Sequence, residues 1–481
     1  MLPAGLLYAS SKIVKSGMPV HILDARIKPS AWKKDLDNMV NPDTFVVGIS
    51  VMSGMPVLEG LKISRYVKTR YPRIRIVWGG PHPTFSPEEI LKEPSVDFII
   101  RGYGAEPFYQ LVLALSDSDI APALDKIKGL SFRDDHGAVR HNEVSREFEF
   151  IDYREIPYHL IKDYSPYRYV DSSEIAFPIY SVMGCPYRCA FCSSPAQYAK
   201  MEKKWRPYKT EDILAHIRML KEKFGATFIY FIDDDSFVDL KHVEAIIDAI
   251  NGSGLKVKLG FRGARVNEVA RMSGDFLRKL AEAGTDALHI GVESGSNRLL
   301  QLMKKDITAE LSLEVNKKLS RFPGIRVFYN FIVGLPTETM EETRMTRDLI
   351  LQLIRDNPSC CVLPLNKPRP LPGTELYDLA LEHGYVPPAS LEGWGKYDVE
   401  SSGYNPEWLT KEHNRFIRMM FLCMYFIDDK IFVFSKGRSF KFLFLKVAAV
   451  LYKPLAMLRF RNGFYRFLAE DYLYRIIQRL S

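Results

Sequence analysis

Residues 181–195 read SVMGCPYRCAFCSSP, and the reading of this stretch decides the fold. It holds three of the chain's six cysteines, at 185, 189 and 192, in a C-x3-C-x2-C spacing. It continues an apolar strand pattern, FPIYSV, so the cysteines fall in the loop at that strand's carboxyl end. A structural zinc site closes on four ligands, usually as paired C-x2-C units. Here the next cysteines, 360 and 361, are far downstream, and no His or Cys stands at a matching spacing. Three thiolates on a [4Fe–4S] cluster leave one iron without a protein ligand. An open position is what a catalytic metal site keeps. The spacing favours a redox cluster over a metal staple.

Outward from that loop, a β/α rhythm runs over 176–390. Strand patterns recur at FPIYSV, TFIYFI, KVKLGF, DALHIGV, IRVFYNFIVG and CCVLPL, with helix patterns between most of them. Thr210 with Glu211 and Asp212 marks one helix start, Ser273 with Asp275 another. Six such units are two short of a full barrel, so a partial parallel (β/α)6 barrel is expected, with functional groups at strand carboxyl ends. Cys360 and Cys361, adjacent on one strand, are expected on opposite faces, and Cys423, on an apolar helix, in the core.

Residues 1–125 also alternate strands (PVHILDA, FVVGISV, RIRIVWGG, VDFIIRG) with helices, which predicts a doubly wound parallel sheet. Ligands of such sheets lie beyond the strands' carboxyl ends. Those ends carry SVMSGMP, GGPHPT and RGYGAEPF. Residues 126–175 read as a hairpin around DDHG and a Tyr- and Pro-rich linker; residues 391–481 read as a helical, aromatic, basic tail.

With 47% hydrophobic and 26% charged residues, the composition is that of a soluble globular chain. Six cysteines in this length argue against a disulfide scaffold, and the clustering of three of them argues for reduced thiols in a cytoplasm. The amino terminus lacks a secretory leader, and no stretch reads as a membrane span. The net charge of +8 is uneven: from Lys430 to Ser481 eleven Lys/Arg face two acids, a surplus of +9, so the rest of the chain sums to −1. The tail interleaves single basic residues (Lys441, Lys446, Lys453, Arg459, Arg461, Arg466) with apolar runs, and Pro454 is expected to kink or break its helix. This suits a helical cap, or contact with an anionic membrane surface, better than nucleic acid.

The cysteine triplet on a partial barrel resembles the radical SAM superfamily. That resemblance implies that Cys185, Cys189 and Cys192 hold a [4Fe–4S] cluster whose open iron takes S-adenosylmethionine, split on reduction to a 5′-deoxyadenosyl radical. It further implies roles residue by residue. Phe191 packs on the adenine. Asp234 and Asp235 in FIDDDSF hold the amino group. Glu293 and Ser294 in GVESGS contact the ribose, and Gly334 in VGLPTET lies beside the adenine. Arg206 and Arg265 sit where the family often has basic residues, although Arg265 alone reads as a surface or salt-bridge residue.

The phrases VWGGPHPT and RGYGAEPF before such a barrel resemble the cobalamin-binding radical SAM proteins over residues 1–390. Ser53, Gly79, Gly80, His82 and Thr84 would line the cobalamin face. The family's cobalt-ligating D-x-H-x-x-G is absent, which makes His82 a hydrogen-bonding or packing residue rather than a ligand. Two departures stand out: the strand that normally precedes LPAGLLYAS is missing, and GYGAE replaces an acidic GEGE. Methylthiolating relatives carry a second cluster on upstream cysteines, and here the first cysteine is Cys185. The implied activity is methylation of an unactivated carbon on a hydrophobic, lipid-like or natural-product small molecule, fed by an electron donor such as ferredoxin or flavodoxin. Cyclisation or rearrangement without methyl transfer, as in the anaerobic cyclases of tetrapyrrole synthesis, is the alternative. A non-catalytic, metal-stapled module for membranes or nucleic acid is the reading of another class.

Overall fold

The structure, a computed structural model, describes residues 1–116, 123–168, 174–396, 405–428, 440–466 and 468. The amino-terminal sheet has the order β1 (Val46–Ser50), β2 (Arg75–Gly79), β3 (Phe98–Ile100), β4 (Leu130–Arg133), β5 (Val139–His141). The first three strands are parallel. Helices cover both faces, as a doubly wound sheet requires. Val57 and Leu61 of the helix Met55–Arg70 pack on Ile76 and Trp78. Leu111 of the helix Ala105–Leu115 packs on Val77 and Ile100 on the other face. Gly48 lets Phe108 lie against β1, since a Cβ there would stand 2.8 Å from its ring.

One expected strand does not form. PVHILDA makes no ladder, and β1 is the edge of the described sheet. Its alternation fits a pleated surface, but a strand needs a neighbour to pair with. The expected hairpin does form, turning at Gly137 (φ +79°) where Asp134 accepts the backbone N–H groups of His136 and Ala138. Its first strand, β4, pairs antiparallel with β3 and extends the sheet.

The second sheet is the partial barrel. Its strands are β6 (Ala176–Ile179), β9 (Phe228–Phe231), β10 (Lys258–Arg265), β11 (Thr285–Glu293), β12 (Val327–Phe331) and β13 (Cys360–Val362), in that order and all parallel. An antiparallel pair, β7 (Val182–Gly184) with β8 (Trp205–Pro207), frames the cysteine loop. Side chains alternate between two faces. Phe177, Phe231, Phe261, Ile290, Tyr329 and Cys360 point outward into the main core under the helices. Ala176, Phe228, Tyr230, Ala287, Phe328 and Cys361 point into the lumen. The two adjacent cysteines thus take opposite faces, as expected, and Cys423 is buried in the helix Lys411–Ile427. Ala4 and Tyr8 of the helix Ala4–Lys15 pack against the lumen group, with the Tyr8 and Tyr180 rings 5.3 Å apart.

Ser273 caps its helix by accepting the Phe276 N–H, whereas Thr210 is the first helical residue behind Lys209. The helix Phe440–Asn462 runs through Pro454, which does not break it. Both Val450 and Pro454 are exposed, so the carbonyl that proline cannot bond is left to solvent. Residues 429–439 and 469–481 of the basic tail, and the side chains of Lys441 and Lys446, lie outside the described residues. Among the described residues no helix is long and apolar enough to cross a membrane.

After the barrel the chain returns to the amino-terminal sheet. Leu391 and Trp394 are buried in that sheet's own core, beside Val51, Val57 and Trp78. The Trp394 indole donates to Glu89, and Arg65 pairs with Glu392 at 2.8 Å.

Candidate active site

The cysteine loop leaves the first barrel strand through β7. Gly184, at φ +85°, makes the turn into it, where a Cβ would strike the Lys204 carbonyl and the Phe148 ring. The loop folds back on itself, with the Cys192 N–H bonded to the Cys189 carbonyl at 3.1 Å. All three thiols are free and half-buried. Burial raises the pKa values of Cys185 and Cys192, and Cys192 also feels Cys189. Iron binding there must release protons. Among the described residues no three His, Cys, Asp or Glu side chains converge tightly enough for a single metal ion.

Arg265, at the end of β10, is the loop's main support. It is 3% exposed, not a surface residue. Its Nη1 lies 2.9 Å from Cys189 Sγ, its Nη2 donates to the Lys305 carbonyl, and its guanidinium stacks 3.9 Å from the Tyr187 ring centre. Burial works against its charge, but Cys189 and Asp235 outweigh it and its pKa is raised. Tyr187 donates to Glu268 at 2.6 Å, and burial together with Glu268 raises Asp235.

The three aspartates of FIDDDSF part company. Asp233 is buried and accepts from Ser181, Val182 and Ser236; burial still raises it to about 6. Asp234 is exposed in the lumen and accepts from Tyr198 at 2.6 Å. Asp235 turns beneath the loop towards Glu268. Both Asp234 and Asp235 act electrostatically on Cys185.

Glu293 ends β11 in a left-handed conformation, φ +70°. Strain of that kind is held in place by its surroundings. Its carboxylate pairs with the equally buried Lys305 at 3.1 Å. Lys305 also stands 5.9 Å from the Phe191 ring. Ser294 is fully buried, its hydroxyl accepting from the Ser296 N–H and facing Thr346. Gly334, φ +91°, accepts from Trp408 through its carbonyl and donates its N–H to Glu338. Phe191 and Leu335 share the wall of a cavity of about 510 Å³ with Leu302, Met303 and Leu376, which brings the two segments expected around an adenine to one place.

The carboxyl ends of the amino-terminal strands form the second half. Ser53 Oγ lies 3.0 Å from His82 Nδ1, and Thr84 bonds the Gly80 carbonyl and receives the Gly102 N–H. Gly80 takes φ +107°, where a Cβ would stand 2.8 Å from the Val51 carbonyl. A Cβ on Gly79 would meet nothing closer than 3.8 Å, which leaves open space at the strand end. His82 is buried, its pKa pushed down to about 4 by burial, and its ring packs edge-on to Trp394 at 4.7 Å. Its Nε2 is buried without a partner among the described residues, which leaves a polar atom for a ligand to meet. The five predicted cobalamin-face residues thus come together.

The two halves touch. Tyr103, from the loop after β3, packs on Phe148, and Phe148 on Tyr198, in one apolar patch that includes Cys185. Sequence reasoning missed Tyr103, Tyr187, Tyr198 and Lys305, and undervalued Arg265. The tyrosines carried no spacing signal, and Lys305 sits in an ordinary-looking MKKD turn.

Residues 179–350 match the model of the radical SAM superfamily, and residues 1–112 that of the B12 binding domain. An uncharacterized methyltransferase of Pyrococcus horikoshii is 27% identical over 426 residues, 88% of this chain and 87% of that protein. The anaerobic magnesium-protoporphyrin IX monomethyl ester cyclase of Cereibacter sphaeroides is 28% identical over 72% of this chain, which spans 55% of the cyclase's length. Among solved structures, the cobalamin-dependent S-adenosylmethionine radical enzyme OxsB, with aqua-cobalamin and S-adenosylmethionine bound, aligns with a TM-score of 0.69. That alignment is 18% identical and covers 95% of this chain and 69% of that one.

Proposed function

The chain belongs to the cobalamin-binding radical SAM enzymes, with S-adenosylmethionine, a [4Fe–4S] cluster and cobalamin as their cofactors, and on that premise we propose that it methylates an unactivated carbon of a small molecule. One observation carries the proposal: the patch that joins Tyr103, Phe148, Tyr198 and Cys185 puts the cobalamin-side loop and the cysteine loop in contact. In this reading Cys185, Cys189 and Cys192 hold the cluster. Phe191, Asp234, Asp235, Glu293, Ser294 and Gly334 hold S-adenosylmethionine, and Ser53, Gly79, Gly80, His82 and Thr84 line the cobalamin face. When bound, these groups supply a 5′-deoxyadenosyl radical and a transferable methyl group.

The chain's own residues orient and shield. Arg265 fixes Cys189 through a charge-assisted hydrogen bond and holds its own position through Tyr187 and Lys305. Lys305 balances Glu293, and Tyr198 holds the Asp234 carboxylate. Neutral His82, pinned by Ser53 and covered by Trp394, acts by packing and hydrogen bonding. The working domains are 1–125 for cobalamin, 126–175 as connector, 176–390 as barrel and 391–481 as carboxyl-terminal region.

Anaerobic purification with cobalamin, reduction, and mass spectrometry test this. Both 5′-deoxyadenosine and S-adenosylhomocysteine are expected. The nucleoside without the homocysteine product supports the second reading, cyclisation without methyl transfer, which the similarity to the cyclase favours. Neither product refutes both.

A hydrophobic, lipid-like substrate and an electron donor such as ferredoxin or flavodoxin complete the proposal. The helix Phe440–Asn462 presents exposed Val447, Leu451, Leu455 and Leu458 along one face, which supports contact with a membrane surface. Co-sedimentation with anionic lipid vesicles is the expected result, and loss of it on replacing Leu451 and Leu455 by Ser locates the contact.

A further inference from the structure

The lumen of the barrel has two layers. Its floor is closed and apolar: Ala176, Phe228, Ala287, Phe328 and Cys361 are buried together. Above it, towards the carboxyl ends, stands an open ring. Tyr180, His289 and Asn330 are partly exposed there, and Asp234 and Arg262 are exposed, while the outward-facing residues of the same strands are buried. His289 stacks on Phe328 at 4.8 Å and 16° and meets Tyr230 edge-on.

Arg262 reaches this ring through a bulge. The register between β10 and β11 passes from Phe261 opposite Leu288 to Ala264 opposite Ile290, so β10 holds one extra residue there. Bulges beside active sites re-aim side chains. Gly263 makes this one feasible, because a Cβ on it would stand 2.7 Å from the Asp234 carbonyl. The bulge separates two arginines only three residues apart. Arg265 goes to the cysteine loop, whereas Arg262 acts electrostatically on Tyr180 and His289 within the lumen.

Arg262 has no carboxylate within ion-pair distance among the described residues. The ring's one carboxylate, Asp234, is held by Tyr198 instead. An unpaired guanidinium that opens into a lumen with an apolar floor offers a fork of donors to an anion that enters with an apolar body.

Resting on the reading above, we propose that the lumen takes a substrate with an anionic group, carboxylate or phosphate, on an aromatic or cyclic apolar body: Arg262 receives the anion, and the Phe328 floor with the His289 ring receives the body. This sharpens the substrate class from hydrophobic to amphiphilic acid.

The test is anaerobic calorimetry on the cluster-loaded protein saturated with S-adenosylmethionine. Its probes are 1-naphthoate, 1-naphthyl phosphate and the neutral 1-naphthamide. The anions are expected to bind at least about tenfold tighter than the amide, the lower end of one charge-assisted hydrogen bond. Whichever anion binds tighter names the source of the charge. Arg262→Gln is expected to bring all three to the level of the amide, and Arg262→Lys to keep part of the preference, which guards against a folding defect. Equal binding of amide and anions overturns the proposal, as does an unchanged preference in Arg262→Gln. So does a tenfold loss of S-adenosylmethionine affinity in that variant with probe binding intact, which would assign Arg262 to the cofactor's carboxylate. Formation of 5′-deoxyadenosine by the unmutated protein is followed in the same preparation. Its absence defeats the enzymatic reading and leaves the probe result standing.

Discussion

Replacing Glu293 by Gln tests how the ribose-side end of the site is held. Glu293 and Lys305 are 8% and 5% exposed and 3.1 Å apart. Removing one partner of such a pair leaves a buried charge uncompensated, at a cost of about 3–5 kcal/mol. In Glu293→Gln the ammonium keeps its contact with the Phe191 ring at 5.9 Å. A cation–π contact contributes about 0.5–2 kcal/mol, so the expected loss is about 2–4 kcal/mol. Lys305→Met removes the other partner and leaves Glu293 in its strained left-handed conformation with no cation. Its expected cost is about 3–5 kcal/mol. The double variant Glu293→Gln/Lys305→Met removes both charges and is expected near the unmutated protein, so the coupling is the sum of the two single costs, about 5–9 kcal/mol. Urea unfolding of iron-free protein at constant pH, read from the transition that the single variants move, measures the cycle. Additive costs, with coupling below about 0.5 kcal/mol, would refute the claim that the ion pair and not local packing holds this turn.

Other outcomes follow from the same geometry. Replacing Cys185, Cys189 or Cys192 by Ala is expected to abolish the brown chromophore and 5′-deoxyadenosine formation, read by iron assay and mass spectrometry. Gly263→Ala is expected to destabilise by about 1–3 kcal/mol, because its neighbour is the Asp234 backbone and cannot swing aside; urea midpoints measure this. Burial raises Glu338 to about 7 from 4.5. The folded state therefore binds a proton that the unfolded state has released between those values. Stability present below about pH 4.5 is lost as pH rises to about 7, by about 3 kcal/mol, and Glu338→Gln is expected to flatten that dependence of the urea midpoint. Trp394→Ala, which strips His82 of its cover and Glu89 of a donor, is expected to cost about 3–5 kcal/mol in the transition of the amino-terminal half.

Much of the fold was legible because its signals are local. Alternating apolar patterns marked β9 to β13, and the cysteine spacing marked the loop. The single departure among the strands, PVHILDA, depended on a neighbour, which composition does not report. Within FIDDDSF the type of residue was informative but the direction of each side chain was not. Three successive aspartates reach a buried hydroxyl network, the lumen and the underside of the loop because β9 ends there. Arg265 looked ordinary in sequence for the same reason: its partner, Cys189, lies 76 residues away. Arg262 was silent because a bulge, not a motif, decides where it points. The residues over His82 come from a segment more than 300 positions downstream, beyond any window of periodicity.

That last crossing has a consequence for synthesis. Ribosomes add roughly 5–20 residues per second, so about 12–50 s separate the emergence of residue 150 from that of Trp394. Throughout that interval the nascent amino-terminal half shows an unfinished apolar face where Leu391 and Trp394 will dock. A chain cut short before residue 391 would never finish it, which makes early termination a route to aggregation rather than to a free-standing module.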